Sequence, residues 1–149
     1  MPTEERTNDE SLIHELLTKQ TRAIRDKDAS AAVAVFTEDA VGFDLDPPLR
    51  HGPAEMRDKG RIQAWFDTWR GPIECQTRDL RIELGSDVGF AYSLQRMVGT
   101  KTDGAKADLW FRSSVCLRKE RGAWKIAHTH QSVPFEMDGS NLAALDLEP

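Results

Sequence analysis

Hydrophobic spacing changes at Gly71-Pro72, and this change constrains the fold more than any other feature of the sequence. Before it, Ile62, Trp65, Phe66 and Trp69 recur at positions i, i+3, i+4 and i+7, which predicts the buried stripe of a helix. After it, apolar and polar residues alternate, which is typical of half-buried strands. Helices that precede a block of strands indicate an α+β fold rather than alternating α/β units.

The alternating region divides into four candidate strands, Ile73 to Leu84, Val88 to Thr100, Ala107 to Lys119 and Ala123 to Val133. Short segments with turn residues separate them: Gly85-Ser86-Asp87, Thr102-Asp103-Gly104 and Glu120-Arg121-Gly122. This order predicts an antiparallel meander. Long strands twist, so we expect a curved, mostly antiparallel sheet wrapped around the N-terminal helices, with a small-molecule cavity at the open end of the cone.

The helices carry their own start signals. Thr7 and Glu10 form a T-x-x-E capping box, which predicts a first helix over about residues 8–26. Asp28 is suited to cap a second helix over 29–36. The remaining predicted elements are a strand over Val41-Gly42-Phe43 and a third helix from Pro53 to the Gly71-Pro72 stop.

Length and charge limit the function classes. The 149 residues fit one domain, with a core over about 8–136 and a peripheral or partly disordered tail over 137–149. The formal net charge of −5 argues against a nucleic-acid partner, and no apolar run is long enough to cross a membrane. The first six residues are polar and form no secretory signal. Cys75 and Cys116 are isolated, which predicts reduced thiols in a cytoplasmic protein.

The last strand ends in a polar sequence, HTHQS, after apolar Trp124 and Ile126. If the alternation is regular, His128, His130 and Ser132 share a face with Trp124 and Ile126 and lead from the core into a polar pocket. Two imidazoles in such a place are candidates for proton transfer. The alternative is that both histidines make structural hydrogen bonds or lie at the sheet margin.

A hairpin centred on Arg121 gathers further polar residues around these histidines. It pairs Cys116 with Ile126, Ser114 with His128, Arg112 with His130 and Trp110 with Ser132. A slip of one residue would turn Trp110, Arg112 and Ser114 to the opposite face. The next strand brings Tyr92 near. A buried Arg112 needs an anion, which Asp108, Asp44 or a ligand carboxylate could supply.

The closing Trp-x-Ile-x-His-x-His-x-Ser-x-Pro-Phe, the Leu109-Trp110-x-Arg112 segment and the element order resemble the SnoaL-like branch of the nuclear transport factor 2-like superfamily. That superfamily includes ketosteroid isomerase and polyketide cyclases. The similarity extends over about Glu10 to Glu136. It implies a cone-shaped sheet with a deep pocket and a homodimer formed through the sheet.

The resemblance also implies roles for individual residues. The stretch Glu38 to Asp44 places Asp44 at the position of the catalytic base, while Gln20 stands where ketosteroid isomerase has its oxyanion tyrosine. Steroid isomerisation is therefore not expected. We predict instead that Asp44 or a neutral histidine abstracts a proton from an apolar carbonyl substrate and that Arg112 stabilises the enolate. The predicted catalytic set is Asp44, His128, His130 and Arg112, and the predicted pocket lining is Gln20, Tyr92, Trp110, Ser114 and Trp65.

A second hypothesis from a different class stays open, namely a non-catalytic dimeric domain that binds or senses an apolar ligand. His128, His130 and Asp44 could also form a His-His-carboxylate metal set. No further ligand has diagnostic spacing, so we predict neither a metal nor a cofactor. His14 and His51 have no such context and are expected at the surface.

Overall fold

Two helices open the chain in the computed structural model, which describes residues 3–149. Helix α1 spans Thr3–Arg25 and α2 spans Ala29–Ala34. Because α1 begins at Thr3, the predicted start at the Thr7 capping box is wrong, and Thr7 lies within the helix. The cap of α2 is confirmed, since the Asp28 carboxylate accepts a hydrogen bond from the backbone N–H of Ala31 at 3.1 Å.

The middle of the chain differs more from expectation. Strand β1 covers Phe36–Phe43, well beyond the predicted three residues. The single predicted third helix is two short ones, α3 over Pro53–Met56 and α4 over Lys59–Phe66. The break lies at Asp58, whose carboxylate accepts from the backbone N–H of Gly60 at 2.8 Å and so caps α4.

Four long strands complete the sheet: β2 over Trp69–Leu84, β3 over Val88–Lys101, β4 over Lys106–Glu120 and β5 over Ala123–Ser132. The strand order is β1-β5-β4-β3-β2, with β1 parallel to β5 and the other pairs antiparallel. The α+β fold with a mostly antiparallel sheet is thus confirmed. Gly71-Pro72 does not stop a helix but lies inside β2, where the pairing with β3 is irregular.

The inner face of the sheet, which we define as the face covered by α1, carries the core. It includes Ala91, Val115, Leu117 and Ile126, all at most 6% exposed, and Ile13 of α1 packs among them. A second cluster joins the helical stripe to β2, with Phe66 and Trp69 buried as predicted and Trp65 partly buried beside them. Burying one such side chain stabilises the fold by about 1.5–3 kcal/mol.

The tail folds back on itself. Phe135 and Ala143 form an isolated antiparallel bridge, and the N–H of Glu136 donates to the carbonyl of Leu142 at 2.7 Å. Ala144 is only 4% exposed. The tail is therefore a strap held on the domain. Among residues 3–149, no helix is both long and apolar enough to span a lipid bilayer.

Candidate functional site

The predicted polar patch exists, but it lies on the outer face of the sheet, opposite α1. Cross-strand pairing places Ser114 beside His130 and Arg112 beside Ser132. Arg112, Ser114 and His130 are all exposed, and His128 is half-buried. The prediction that both imidazoles and the guanidinium face the central hollow is therefore wrong.

Two local features of the β4–β5 hairpin place the polar patch on the outer face instead of the inner one. The turn is a two-residue one, with positive φ at both Arg121 (52°) and Gly122 (79°), so Leu117 rather than Cys116 pairs with Ile126. A β-bulge follows, because Cys116 pairs with His128 and Ala127 is left as the extra residue. The turn moves the even-numbered residues of β4 to the outer face, and the bulge then moves both histidines to the same face.

The contacts of His128 are structural. Its Nδ1–H donates to the carbonyl of Val41 at 2.7 Å, which ties β5 to β1. The Phe43 ring packs edge-on against His128 and His130, with ring centroids 4.6 and 5.5 Å apart. This corresponds to the structural alternative for the histidines. Their catalytic role stays a prediction.

Arg112 has no ion-pair partner among residues 3–149. The proposed partner Asp108 instead receives two 2.8 Å hydrogen bonds from Arg96, and these lower the pKa of the Asp108 carboxyl. Arg112 escapes the cost of an unpaired buried charge because it is exposed.

The cavity lies on the inner face, between α1 and the sheet, with a volume of about 500 Å³. Gln20 lines it as predicted, whereas Tyr92, Trp110, Ser114 and Trp65 do not. Tyr92 and Ser114 are exposed on the outer face, Trp110 shares that face, and Trp65 packs against Trp69 at 5.7 Å between ring centroids. The apolar part of the lining includes Leu17, Leu80, Ala91, Phe111 and Val115.

A row of neutral polar side chains crosses three strands of this lining. Ser93 of β3 pairs with Ser113 of β4, which pairs with Gln131 of β5. Gln95 donates to Ser93 Oγ at 2.7 Å and accepts from Thr77 at 3.2 Å. The side chains of Ser113 and Gln131 have no hydrogen-bond partner within the described part of the chain. We call Ser93, Ser113 and Gln131 the polar row.

Charged side chains are confined to the exposed part of the lining. His14, Arg22, Arg25 and Glu74 are all exposed. Cys75 lies deeper in the cavity and is also ionisable. Burial raises the pKa of its thiol to about 11, so the thiol is neutral at pH 7. The interior of the cavity is thus uncharged.

Asp44 lies in a separate cluster at the end of β1 and does not line the cavity. Its neighbour His51, expected at the surface, is only 3% exposed. Burial raises the pKa of the Asp44 carboxyl, while nearby His51 and Arg61 oppose the shift. The structure therefore brings His128, His130 and Arg112 together but keeps Asp44 apart from them.

Sequence reasoning missed both the polar row and His51. The row interrupts strands whose inner positions are otherwise apolar, and this could have marked Ser93, Ser113 and Gln131 once the register was known. His51 stands four residues before Glu55, a spacing that brings side chains together at a helix start, and the two do hydrogen-bond at 2.8 Å.

A family model described as a SnoaL-like domain matches residues 13–136. The chain belongs to this family. A nuclear transport factor 2-like protein of unknown function from Pseudomonas putida resembles this SnoaL-like protein with a TM-score of 0.84 and 27% identity, over 96% of this chain and 98% of that chain.

Two more distant structures share the fold of the SnoaL-like protein. A type 2 hexachlorocyclohexane dehydrochlorinase has a TM-score of 0.75 at 14% identity, over 99% of this chain and 98% of that chain. A nuclear transport factor 2-like superfamily protein from Salmonella enterica has a TM-score of 0.75 at 15% identity, over 91% and 97%. No curated protein sequence matches significantly. The fold thus hosts an enzyme as well as a protein of unknown function.

Proposed function

We propose that this SnoaL-like protein binds one small, mainly apolar molecule in the inner cavity and recognises a neutral carbonyl, amide or hydroxyl group on it. The observation that carries the proposal is the polar row beside the apolar part of the lining, in a cavity whose charged side chains lie only at its exposed part. A volume of about 500 Å³ suits a small organic ligand. The half-buried hydroxyl of Ser113 and amide of Gln131 lose contact with water when a ligand enters, so a ligand that replaces those hydrogen bonds is favoured over a purely hydrocarbon one.

Binding without proton transfer is favoured over acid/base catalysis on a carbonyl substrate. Catalysis by Asp44, His128, His130 and Arg112 requires these groups to meet one substrate. Three of them lie on the outer face and Asp44 lies in its own cluster, while the Cys75 thiol set deeper in the cavity is neutral at pH 7.

Two adjacent serines offer a matched test, because Ser113 faces the cavity and Ser114 faces outward. Nile red, a neutral apolar dye with a carbonyl group, is titrated into the full chain and its fluorescence recorded. We expect saturable binding, a loss of affinity of about tenfold or more in Ser113→Trp, whose indole would occupy part of the cavity beside the polar row, and unchanged affinity in Ser114→Trp. Circular dichroism establishes that both variants fold.

Equal dye affinity in wild type and Ser113→Trp, or no saturable binding by the wild type, would contradict the proposal. Turnover of a carbonyl substrate that is lost in His128→Ala, with dye affinity intact, would favour the catalytic hypothesis instead.

We also propose that two chains associate through the outer face as a homodimer. Phe90 and Tyr92 are stacked there with ring centroids 6.4 Å apart, and about half of each side chain is exposed (49% and 47%). Exposed aromatic patches of this kind are typical of interaction surfaces.

Light scattering should give twice the chain mass, and Tyr92→Glu should give a monomer. Leu49→Glu is the control, since Leu49 is exposed (97%) but lies in the loop between β1 and α3. A monomeric wild type at high concentration would refute the dimer.

A further inference from the structure

A cluster of oxygen and nitrogen ligands lies where β1 ends. Gly42 and His51 form an antiparallel bridge, with backbone N–H···O distances of 2.8 and 3.0 Å, which closes the intervening loop. This closure brings Asp44 and Asp46 to the His51 ring. Nε2 of His51 lies 3.8 Å from Oδ2 of Asp44 and 3.5 Å from Oδ1 of Asp46.

The buried His51 ring points an unpartnered nitrogen at these carboxylates. The side chain is 3% exposed, and Nε2 has no hydrogen-bond partner in residues 3–149. On the other side of the ring, Nδ1 lies 2.8 Å from Oε2 of Glu55. A carboxylate only accepts, so Nδ1 carries the proton and, in the neutral ring, Nε2 presents its lone pair to Asp44 and Asp46.

The three acceptor atoms converge to within 4.8 Å of one another, and such a set suits a cation between them. Neither the 3.5 Å nor the 3.8 Å separation is a well-formed hydrogen bond, so both carboxylates remain available as ligands. Both separations are close to the edge of about 3.4 Å expected between ligands that hold a tetrahedral ion at about 2.1 Å. A carboxylate that fixes the far nitrogen of the imidazole, as Glu55 does, is typical of metal-binding histidines.

We propose that Nε2 of His51 and carboxylate oxygens of Asp44 and Asp46 bind one divalent transition-metal ion, with Zn²⁺ as the ion to test. The imidazole favours zinc and its neighbours over Mg²⁺ and Ca²⁺, which prefer oxygen alone. The outermost ligand, Asp46, is 64% exposed, so the ion reaches the site from solvent and keeps a coordination position open to it.

Arg61 is the competing cation. Its guanidinium lies 3.7 Å from Oδ2 of Asp44 and compensates that charge in the metal-free protein. Its Nε donates to the backbone carbonyl of Glu55 at 3.1 Å, which holds the arm in place. Metal binding therefore requires this guanidinium to move away, and removing its charge should strengthen binding.

The site is independent of the proposed ligand function, because none of the three metal ligands lines the inner cavity. It also differs from the His128–His130–Asp44 set considered from the sequence, which the structure divides between two places. Failure of one proposal therefore leaves the other unaffected.

The test uses the full chain without an affinity tag, stripped of metal with a chelator and titrated with Zn²⁺ in a calorimeter. We expect one saturable site per chain. Asp46→Asn, an exposed change that leaves the fold intact, should weaken binding at least about tenfold, and Glu55→Gln about 10- to 100-fold. Arg61→Gln should strengthen binding. His130→Gln is the control and should leave the affinity unchanged.

Co²⁺ gives a second readout that does not depend on heat, because its visible absorption intensifies in a four-coordinate site with a nitrogen ligand. The spectrum should be lost in His51→Gln, and circular dichroism should show whether that variant folds. No saturable Zn²⁺ binding by the wild type, or affinities of Asp46→Asn and His51→Gln equal to that of the wild type, would overturn the proposal.

Discussion

A buried carboxylate joins the N-terminal helix to the β4–β5 hairpin and gives a stability prediction. Asp9 of α1 is fully buried and its Oδ1 accepts hydrogen bonds from Trp124 Nε1 at 3.0 Å and Lys119 Nζ at 3.2 Å. The substitution Asp9→Ala removes both hydrogen bonds and leaves the buried indole N–H of Trp124 unpaired.

The expected decrease in the free energy of unfolding is the balance of opposing effects. A hydrogen bond to a charged group contributes about 1.5–3 kcal/mol. The contribution of Lys119 is smaller, because its side chain is 24% exposed and partly screened. Two effects reduce the loss: Oδ2 of Asp9 is buried without a partner, and alanine favours the helix by up to about 0.7 kcal/mol. We therefore expect a decrease of about 2 kcal/mol in the free energy of unfolding, measured by urea denaturation at pH 7.

Glu10→Ala is the matched control on the next residue. Its carboxylate lies 3.9 Å from Arg6 and both side chains are exposed, so the expected change is within about 0.5 kcal/mol. Equal unfolding free energies for Asp9→Ala and Glu10→Ala would refute the reasoning.

Acid should reduce the contribution of the Asp9 charge. The hydrogen bond from Trp124 is the main cause that lowers the Asp9 pKa below 3.8, and burial opposes it. A lowered pKa in the folded state means that the stabilisation is complete above pH 3.8 and is lost as the pH falls through the folded-state pKa. The stability difference between wild type and Asp9→Asn should therefore be constant near neutrality and shrink in strong acid. A difference that grew in acid would contradict this.

Two further changes test packing around β1 and β5. Gly42→Ala should destabilise the fold by about 1 kcal/mol, because the new Cβ would lie 2.6 Å from Sδ of Met56, whose flexible end can shift but is buried. Gly52→Ala meets nothing within 4 Å and should be nearly neutral. Equal effects of the two changes in urea denaturation would contradict this expectation. Ile126→Ala should cost about 2–5 kcal/mol because Ile126 is fully buried, and Lys125→Ala on the same strand should cost far less; similar losses would show that the inner face is misassigned.

The fold was largely predictable because its signals are local. Turn residues delimit β3, β4 and β5, so their predicted bounds agree with the structure to within about two residues. The bounds of β2 were harder, since Gly71-Pro72 looks like a helix stop. Its place inside the strand depends on pairing with β3, which no local pattern reveals.

The site was less predictable because side-chain direction depends on counting residues across the hairpin. The two-residue turn at Arg121-Gly122 and the extra residue Ala127 each shift the pairing by one. Together they keep Ser114 and His130 on one face, as predicted, but place that face outward. Alternation alone cannot reveal a bulge, because its cost and benefit depend on packing of the neighbouring strands.

Two cysteines can report whether a small molecule binds in the inner cavity. Cys75 lines that cavity, whereas the exposed Cys116 pairs with His128 on the outer face. Labelling by a small thiol reagent at about pH 9, followed by peptide mass spectrometry, gives a rate for each thiol with and without saturating Nile red. We predict that the dye slows the labelling of Cys75 and leaves the labelling rate of Cys116 unchanged. If the dye slowed the labelling of Cys116 and left that of Cys75 unaffected, the ligand would lie on the outer face, which would contradict binding in the inner cavity.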